Sequence, residues 1–127
     1  MSGLEDIPAK YMAAWHEPDA AARRKVIAEL WAEDGVYYNS STEFRGISGI
    51  EKAVTEAYEA FTKNGFVFDL VKVDVNHNAV RYQWSMVPAG GGPAAAVGTH
   101  VFTVDDSGRI VRDHQFVDEA VAEPEDA

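Results

Sequence analysis

The hydrophobic pattern changes period near the middle of the chain, and this change restricts the fold more than any other feature. Before Gly65, apolar residues recur every three or four positions, as they do on one face of an α-helix. After Gly65, apolar and polar residues alternate, most clearly in the segment VRYQWSM, residues 80–86. Three helices followed by a run of strands predict an α+β domain in which the helices cover one face of a sheet.

Three segments carry the helical pattern. The first lies within DIPAKYMAAWHEPD, and the second begins after Asp19 as N-cap and is expected to stop at Gly35. The third lies within SGIEKAVTEAYEAFTKNG, where Ser48 opens a capping-box spacing and Gly65 is expected to end the helix. Between the second and third segments, VYYNSSTEFRG predicts a short strand and a loop.

Four longer strands are predicted in the second half of the chain. FVFDLVKVDV is rich in β-branched residues, and the NHN sequence that follows it is a turn signal before VRYQWSM. After PAGGGP, a third strand runs from about Ala95 to Val104, and the turn DDSG leads to a fourth from Arg109 to about Val117. Successive strands joined by short turns predict antiparallel neighbours.

The DDSG turn determines which side chains face each other across the last two strands. If it is a four-residue loop, Val104 pairs with Arg109, and counting back places His100 directly opposite Asp113. Facing side chains have Cβ atoms about 4.5–5.5 Å apart, within reach of an imidazole–carboxylate hydrogen bond. The alternative phase pairs Thr99 with the residue after Asp113, and this slip of one residue exchanges the two faces.

Length and composition indicate one domain. A chain of 127 residues with 46% apolar residues and no cysteine is large enough to form a core without disulfides. We expect a single domain over residues 1–127, with an acidic and disordered C-terminal tail from about residue 119.

The charge balance restricts the partners. Twenty-one acidic residues against 11 Lys and Arg give a formal charge of −10, which disfavours nucleic acids and anionic membranes. The sequence contains neither a signal-peptide pattern nor an apolar run of about 20 residues, so we expect a cytoplasmic protein without a membrane segment.

Four local sequences in this order indicate a known family: YMAAW, LWAEDGVYYN, FRGISGIEKAV and THVFTVDDSGRIV. Over roughly residues 5 to 118 the chain resembles the SnoaL-like branch of the nuclear transport factor 2-like superfamily, which includes ketosteroid isomerases, scytalone dehydratase and polyketide cyclases. The resemblance implies a cone-shaped fold, in which a curved antiparallel (mixed) β-sheet packs against three N-terminal helices. The superfamily also contains non-enzymes, so the fold alone does not specify a function.

The resemblance transfers residue roles unevenly. Tyr11 matches the tyrosine that donates to the enolate oxygen in ketosteroid isomerases, but their general-base aspartate matches Asn39, whose amide cannot accept a proton at neutral pH. Their second oxyanion donor matches His100, which also resembles, in THVF, a histidine that scytalone dehydratases use for acid–base chemistry. Asp113 and Gln115 match positions where many SnoaL-like proteins place inward polar groups.

Together these observations predict a cofactor-independent lyase, isomerase or cyclase for a small, mostly apolar carbonyl or hydroxyl compound. His100 would move the proton and Asp113 would orient it. The candidate catalytic residues are His100, Asp113, Tyr11 and Asn39, and the candidate ligand-binding residues are Trp15, Tyr82, Trp84 and Gln115. Each also has a purely structural interpretation, as a packed aromatic, a turn residue or a satisfied polar pair.

A second hypothesis is a non-catalytic module of the same fold that binds a small ligand or mediates dimerisation. Relatives often dimerise through the outer face of the sheet, which predicts a homodimer that uses Arg81, Gln83 and Ser85. Epoxide hydrolysis would require an arginine between two acids, and Arg81 alternates to the face opposite Tyr82. The four histidines lack a metal-ligand spacing, so neither a metal nor a cofactor is predicted.

Overall fold

The computed structural model describes the backbone of residues 3–120 and the side chains up to Asp118. Three helices and a six-stranded sheet confirm the predicted α+β architecture. The helices are α1 (Ile7–His16), α2 (Ala20–Leu30) and α3 (Gly46–Ala60). The strands are β1 (Trp31–Tyr38), β2 (Glu43–Arg45), β3 (Phe66–Asn76), β4 (Ala79–Pro88), β5 (Ala96–Val104) and β6 (Ile110–Ala120). Within the described residues, no helix is both long enough and apolar enough to cross a membrane.

The sheet is mixed and has the strand order β2-β1-β6-β5-β4-β3. Every neighbouring pair is antiparallel except β1 and β6, which run parallel. The alternation predicted for β4 is confirmed: Tyr82 and Trp84 are buried on the face that packs against the helices, and Arg81 and Gln83 are exposed on the other. The hydrophobic core lies between the helices and this inner face.

Two predicted helix boundaries are wrong. Gly35 does not end α2, which stops at Leu30, but lies within β1. The Trp31 ring packs so closely on Gly35 that a Cβ at this position would lie 2.5 Å from Trp31 Cε3. Ser48 does not cap α3, which begins two residues earlier at Gly46. Gly46 has φ +74°, a conformation that favours glycine, and this lets the chain turn from β2 into the helix.

The end of α3 also differs from the prediction. The helix ends at Ala60, and a short 3-10 turn over Thr62–Asn64 separates it from Gly65, whose φ of +95° completes the reversal into β3. Where one short strand was predicted before α3, the structure has two, β1 and β2, which pair with each other. Pairing with β6 extends β1 back to Trp31.

The predicted register between β5 and β6 is wrong, although the predicted faces are right. Val104 pairs with Ile110 rather than Arg109, so the loop is one residue longer than expected, and a bulge between this pair and the next adds a second residue. His100 therefore lies opposite Gln115, with Asp113 diagonally offset by two positions. Because a shift of two residues preserves side-chain direction, both His100 and Asp113 still face the helices.

The predicted tail begins within a strand. β6 continues to Ala120, and its backbone pairs with β5 up to that residue. The rest of the predicted tail, residues 121–127, lies outside the described residues.

Candidate functional site

A cavity of about 750 Å³ lies between the helices and the inner face of the sheet, a volume typical of sites for small organic molecules. Its wall is mostly apolar and includes eight aromatic side chains besides His100. These are Trp15, Tyr37, Phe44, Phe61, Phe66, Phe68, Tyr82 and Trp84. The polar lining residues besides the two tyrosines are Asn39, Glu56, His100 and Gln115.

The imidazole of His100 and the carboxylate of Asp113 form a buried pair. His100 Nδ1 lies 2.9 Å from Asp113 Oδ2 and 3.1 Å from Oδ1, and the two residues are 3% and 0% exposed. An ionised carboxylate can only accept hydrogen bonds, so beside ionised Asp113 the proton resides on Nδ1. Asp113 occupies Nδ1 and does not line the cavity. His100 does line it, so its second nitrogen, Nε2, remains for a ligand.

Aromatic rings hold the imidazole in one plane. The Tyr82 ring stacks on His100 with a centroid distance of 4.7 Å and an interplanar angle of 7°, and Tyr37 lies nearly parallel at 6.0 Å and 11°. The rings of Tyr11 and Trp15 lie nearly perpendicular to the imidazole, with centroid distances of 6.0 and 6.2 Å. Rotation of the imidazole would therefore require movement of four packed rings.

Three of these aromatic residues are phenols close to Asp113. Burial, and next the negative charge of Asp113, raise the pKa values of Tyr11, Tyr37 and Tyr82 well above 10.0. The hydroxyls of Tyr11 and Tyr82 have no partner at hydrogen-bonding distance and angle among the described residues, although Asp113 is near enough to affect the pKa of both. The phenols therefore stay neutral and surround the carboxylate with polar but uncharged groups.

The structure places most of the predicted site residues around one cavity. Trp15, Tyr82, Trp84 and Gln115 all line it, as do His100 and Asn39. Tyr11 does not: it is 0% exposed and lies outside the cavity wall, near Asp113. Tyr11 therefore does not reach the cavity, where it was predicted to donate to a substrate carbonyl.

Asn39 has a structural task as well as a position at the cavity. Its side-chain oxygen accepts hydrogen bonds from the backbone N–H groups of Ser41 and Thr42, at 3.0 and 2.8 Å, and so closes the turn between β1 and β2. This leaves the NH₂ group of Asn39 as the donor available to a ligand.

Sequence reasoning missed Tyr37 and the aromatic residues of β3. Tyr37 reaches the site because β1 runs parallel to β6 with Tyr37 opposite Asp113, a contact between residues far apart in the sequence. Its only local signal was the aromatic pair in VYYN, which does not indicate its neighbours.

The chain segment that leads into β3 is fastened to the helices, although β3 is an edge strand. The N–H of Phe68 donates to His16 Nε2 at 2.9 Å, and the N–H of Phe66 donates to the carbonyl of Phe61 at 3.1 Å. The Thr62 hydroxyl donates to the carbonyl of Trp15 at 2.9 Å. These bonds fix the wall of the cavity that carries the three phenylalanines.

Among the residues that the structure describes, neither a metal-binding cluster nor an arginine at the cavity wall is present. Across residues 3–120, no group of three or more His, Asp or Glu side chains is arranged to hold a metal ion. Arg81 lies on the outer face, where it pairs with Asp74 at 2.9 Å, so it is not available to a reaction inside the cavity.

Comparisons with known proteins agree with this architecture. The family model described as SnoaL-like domain matches residues 9–113. A candidate isomerase of the SnoaL-like family from Agrobacterium tumefaciens is 31% identical, with a TM-score of 0.81 over 89% of this chain and 95% of that one. No functionally curated protein matches this chain.

Two more distant structures share the fold. A candidate polyketide cyclase from Sinorhizobium meliloti is 21% identical, with a TM-score of 0.68 over 87% of this chain and 93% of that one. A de novo designed protein with a curved β-sheet is 17% identical, with a TM-score of 0.72 over 93% of this chain and 88% of that one. Since a designed protein shares this fold, the fold alone does not specify a chemistry. The matched family model, which spans most of the domain, and the candidate isomerase together show that the chain belongs to the SnoaL-like family.

Proposed function

We propose that the protein is a cofactor-independent lyase, isomerase or cyclase that moves a proton on a small, mostly apolar carbonyl or hydroxyl compound bound in the cavity. The observation that carries this proposal is the buried His100–Asp113 pair, with Nδ1 and Oδ2 2.9 Å apart, whose imidazole lines the cavity. A base that is oriented by a second group and open to a ligand is the recurring arrangement of general acid–base catalysis.

In the proposed reaction, His100 Nε2 accepts a proton from a carbon next to the substrate carbonyl. The imidazolium that forms is stabilised by Asp113 at Nδ1 and by the faces of Tyr82 and Tyr37, since aromatic faces attract cations. Nε2 then returns the proton to a different carbon, which completes an isomerisation, or to a departing hydroxyl group, which completes an elimination.

Two amides support the proposed step. The negative charge that develops on the substrate oxygen needs hydrogen-bond donors, and Asn39 and Gln115, whose side chains each carry an NH₂ group, line the cavity. Tyr11, which lies outside the wall, serves in this proposal to surround Asp113 and to hold the edge of the imidazole.

Deuterium exchange tests the proposal with a simple ketone. β-Tetralone has an apolar bicyclic body and acidic hydrogens next to its carbonyl, and their loss in D₂O is followed by proton NMR. We expect the protein to accelerate this exchange, and His100→Gln to reduce the acceleration about 10²–10⁴-fold.

The matched control is His114→Gln, because His114 is on the same strand but exposed on the outer face. This variant should exchange at the wild-type rate. If β-tetralone quenches the tryptophan fluorescence, and therefore binds, but exchanges no faster with wild type than with His100→Gln, the catalytic proposal is wrong and a binding module is favoured.

The predicted homodimer stays a prediction, and Arg81 and Gln83 of its expected surface are exposed.

A further inference from the structure

The distribution of charge around the cavity indicates the class of ligand. Neither lysine nor arginine lines the cavity in the part of the chain that the structure describes. Glu56, on α3, is the one lining residue there with a carboxylate, and it is exposed at the cavity wall. An anionic ligand would therefore meet a negative group and find no permanent cation to pair with.

The Glu56 carboxylate is free to pair with a ligand. Across residues 3–120 it takes part in no ion pair, whereas Glu59, on the next turn of α3, pairs with Lys63 at 3.1 Å. The sequence after Ala120 adds Glu123, Glu125 and Asp126 and no base, and the whole chain carries −10. Long-range attraction therefore also favours cations over anions.

The aromatic wall adds a second and independent attraction. Eight aromatic side chains line the cavity, and the faces of tryptophan, tyrosine and phenylalanine attract ammonium groups. Tryptophan is the strongest of these, and both Trp15 and Trp84 belong to the wall. A cavity that combines aromatic faces with one carboxylate and no lysine or arginine has the chemistry that recognises an organic cation.

We propose that the cavity selects an amine: a ligand with an apolar or aromatic body and a protonated nitrogen that Glu56 pairs with, and that carboxylates of the same shape are rejected. This inference rests on the proposed function, because it takes the cavity to be the substrate site. It adds the charge of the substrate and makes Glu56 the residue that determines it.

Three probes with one naphthalene body test the charge preference. Naphthylmethylammonium, naphthylmethanol and naphthoate are titrated against the full chain, and the dissociation constants are measured by quenching of tryptophan fluorescence with calorimetry as a check. We expect the ammonium to bind roughly 3- to 30-fold tighter than the alcohol, and the carboxylate to bind more weakly than the alcohol.

Glu56→Gln is the informative variant, and Glu59→Gln is its matched control because it removes the same charge from the same helix outside the cavity wall. Glu56→Gln should reduce the ammonium-to-carboxylate affinity ratio about two- to fivefold, and Glu59→Gln should leave it unchanged. Added salt should also reduce the wild-type ratio, because Glu56 is exposed to solvent.

Four outcomes would overturn the inference: naphthoate binding as tightly as the ammonium, an unchanged ratio in Glu56→Gln, an equal reduction in Glu59→Gln, or no binding of any probe. Binding is measured here without turnover. A reversed order of affinities would therefore leave the exchange role of His100 standing, and failure of the exchange experiment would leave the amine preference standing.

Discussion

Two hydrogen-bonded side-chain pairs on the same sheet have the same length and opposite surroundings. On the inner face, His100 Nδ1 lies 2.9 Å from Asp113 Oδ2, with side chains 3% and 0% exposed. On the outer face, Arg81 Nη2 lies 2.9 Å from Asp74 Oδ2, with side chains 60% and 41% exposed. Tyr82, which stacks on His100, is the next residue in the chain after Arg81.

The difference shows that distance alone does not indicate what a pair contributes. Water already solvates Arg81 and Asp74, so forming their pair changes little. His100 and Asp113 have lost their contacts with water and are surrounded by aromatic rings, so each group depends on the other for a hydrogen-bond partner. The predictions that follow test this contrast, from the largest expected effect to the smallest.

Removal of the inner carboxylate should produce the largest loss of stability. Asp113→Ala leaves the buried Nδ1–H of His100 without its acceptor and leaves a cavity, and we expect the free energy of unfolding to fall by about 2–4 kcal/mol in urea denaturation. The matched change on the outer face, Asp74→Ala, should leave it unchanged within experimental error. Equal losses in the two variants would contradict the contrast.

A single methyl group should disturb the inner face in a different way. At Gly98, a Cβ would lie 2.2 Å from Trp84 Cζ2 and 2.5 Å from the carbonyl oxygen of Phe116, and the backbone oxygen cannot move aside as a side chain can. We expect Gly98→Ala to lower the free energy of unfolding by about 1–3 kcal/mol and to shift the fluorescence of Trp84. Gly90→Ala, where no atom lies within 4 Å, is the control, and a similar loss there would show that packing is not the cause.

High pH should act on the inner face through its phenols. Burial and the charge of Asp113 raise the pKa values of Tyr11, Tyr37 and Tyr82 above 10.0. The pKa values of these tyrosines are higher in the folded protein than in the unfolded chain. The contribution of the three phenols to stability is therefore complete below pH 10.0 and is lost as the pH rises further. In an alkaline titration, the tyrosinate absorbance of these three residues should appear together with the loss of circular dichroism. Full ionisation of all five tyrosines in the folded protein would contradict this.

Low pH should have the smallest effect, on the outer pair. The hydrogen bond from Arg81 is the main cause that lowers the pKa of Asp74 below its ordinary value of 3.8. The contribution of the Asp74 carboxylate to stability is therefore present above pH 3.8 and is lost as the pH falls through the lowered pKa. Arg81→Gln should raise the pKa of Asp74, as measured by NMR titration, with little change in the unfolding midpoint. An unchanged pKa would show that the pair does not form in solution.

The faces of the strands could be predicted from the sequence because alternation is local. The pattern of VRYQWSM places Tyr82 inward and Arg81 outward without any knowledge of the neighbouring strands. The exact register could not be predicted, because it depends on the length of the loop after Val104 and on a bulge that leaves no clear mark in the sequence. The two errors, of one residue each, add to a shift of two residues. Such a shift leaves the side-chain directions unchanged, so His100 and Asp113 face the same side.

The walls of the site were harder to predict because they come from distant parts of the chain. Tyr37 reaches Asp113 only through the parallel pairing of β1 with β6, which connects strands separated by most of the sequence. The helical pattern also continued through Trp31, where strand pairing decides the conformation instead. Tyr11 was assigned to the site from the resemblance, and only packing shows that it lies outside the cavity wall.

The position of the imidazole proton is the most direct test of the central claim, which is that Asp113 holds His100 with Nε2 free to act as a base. Nitrogen-15 NMR of the full chain, with the His100 signals assigned by their loss in His100→Gln, distinguishes the two tautomers. In the neutral imidazole we predict a proton on Nδ1, donated to Asp113, and none on Nε2. A proton on Nε2 with Nδ1 bare, so that Asp113 is the donor, would contradict it.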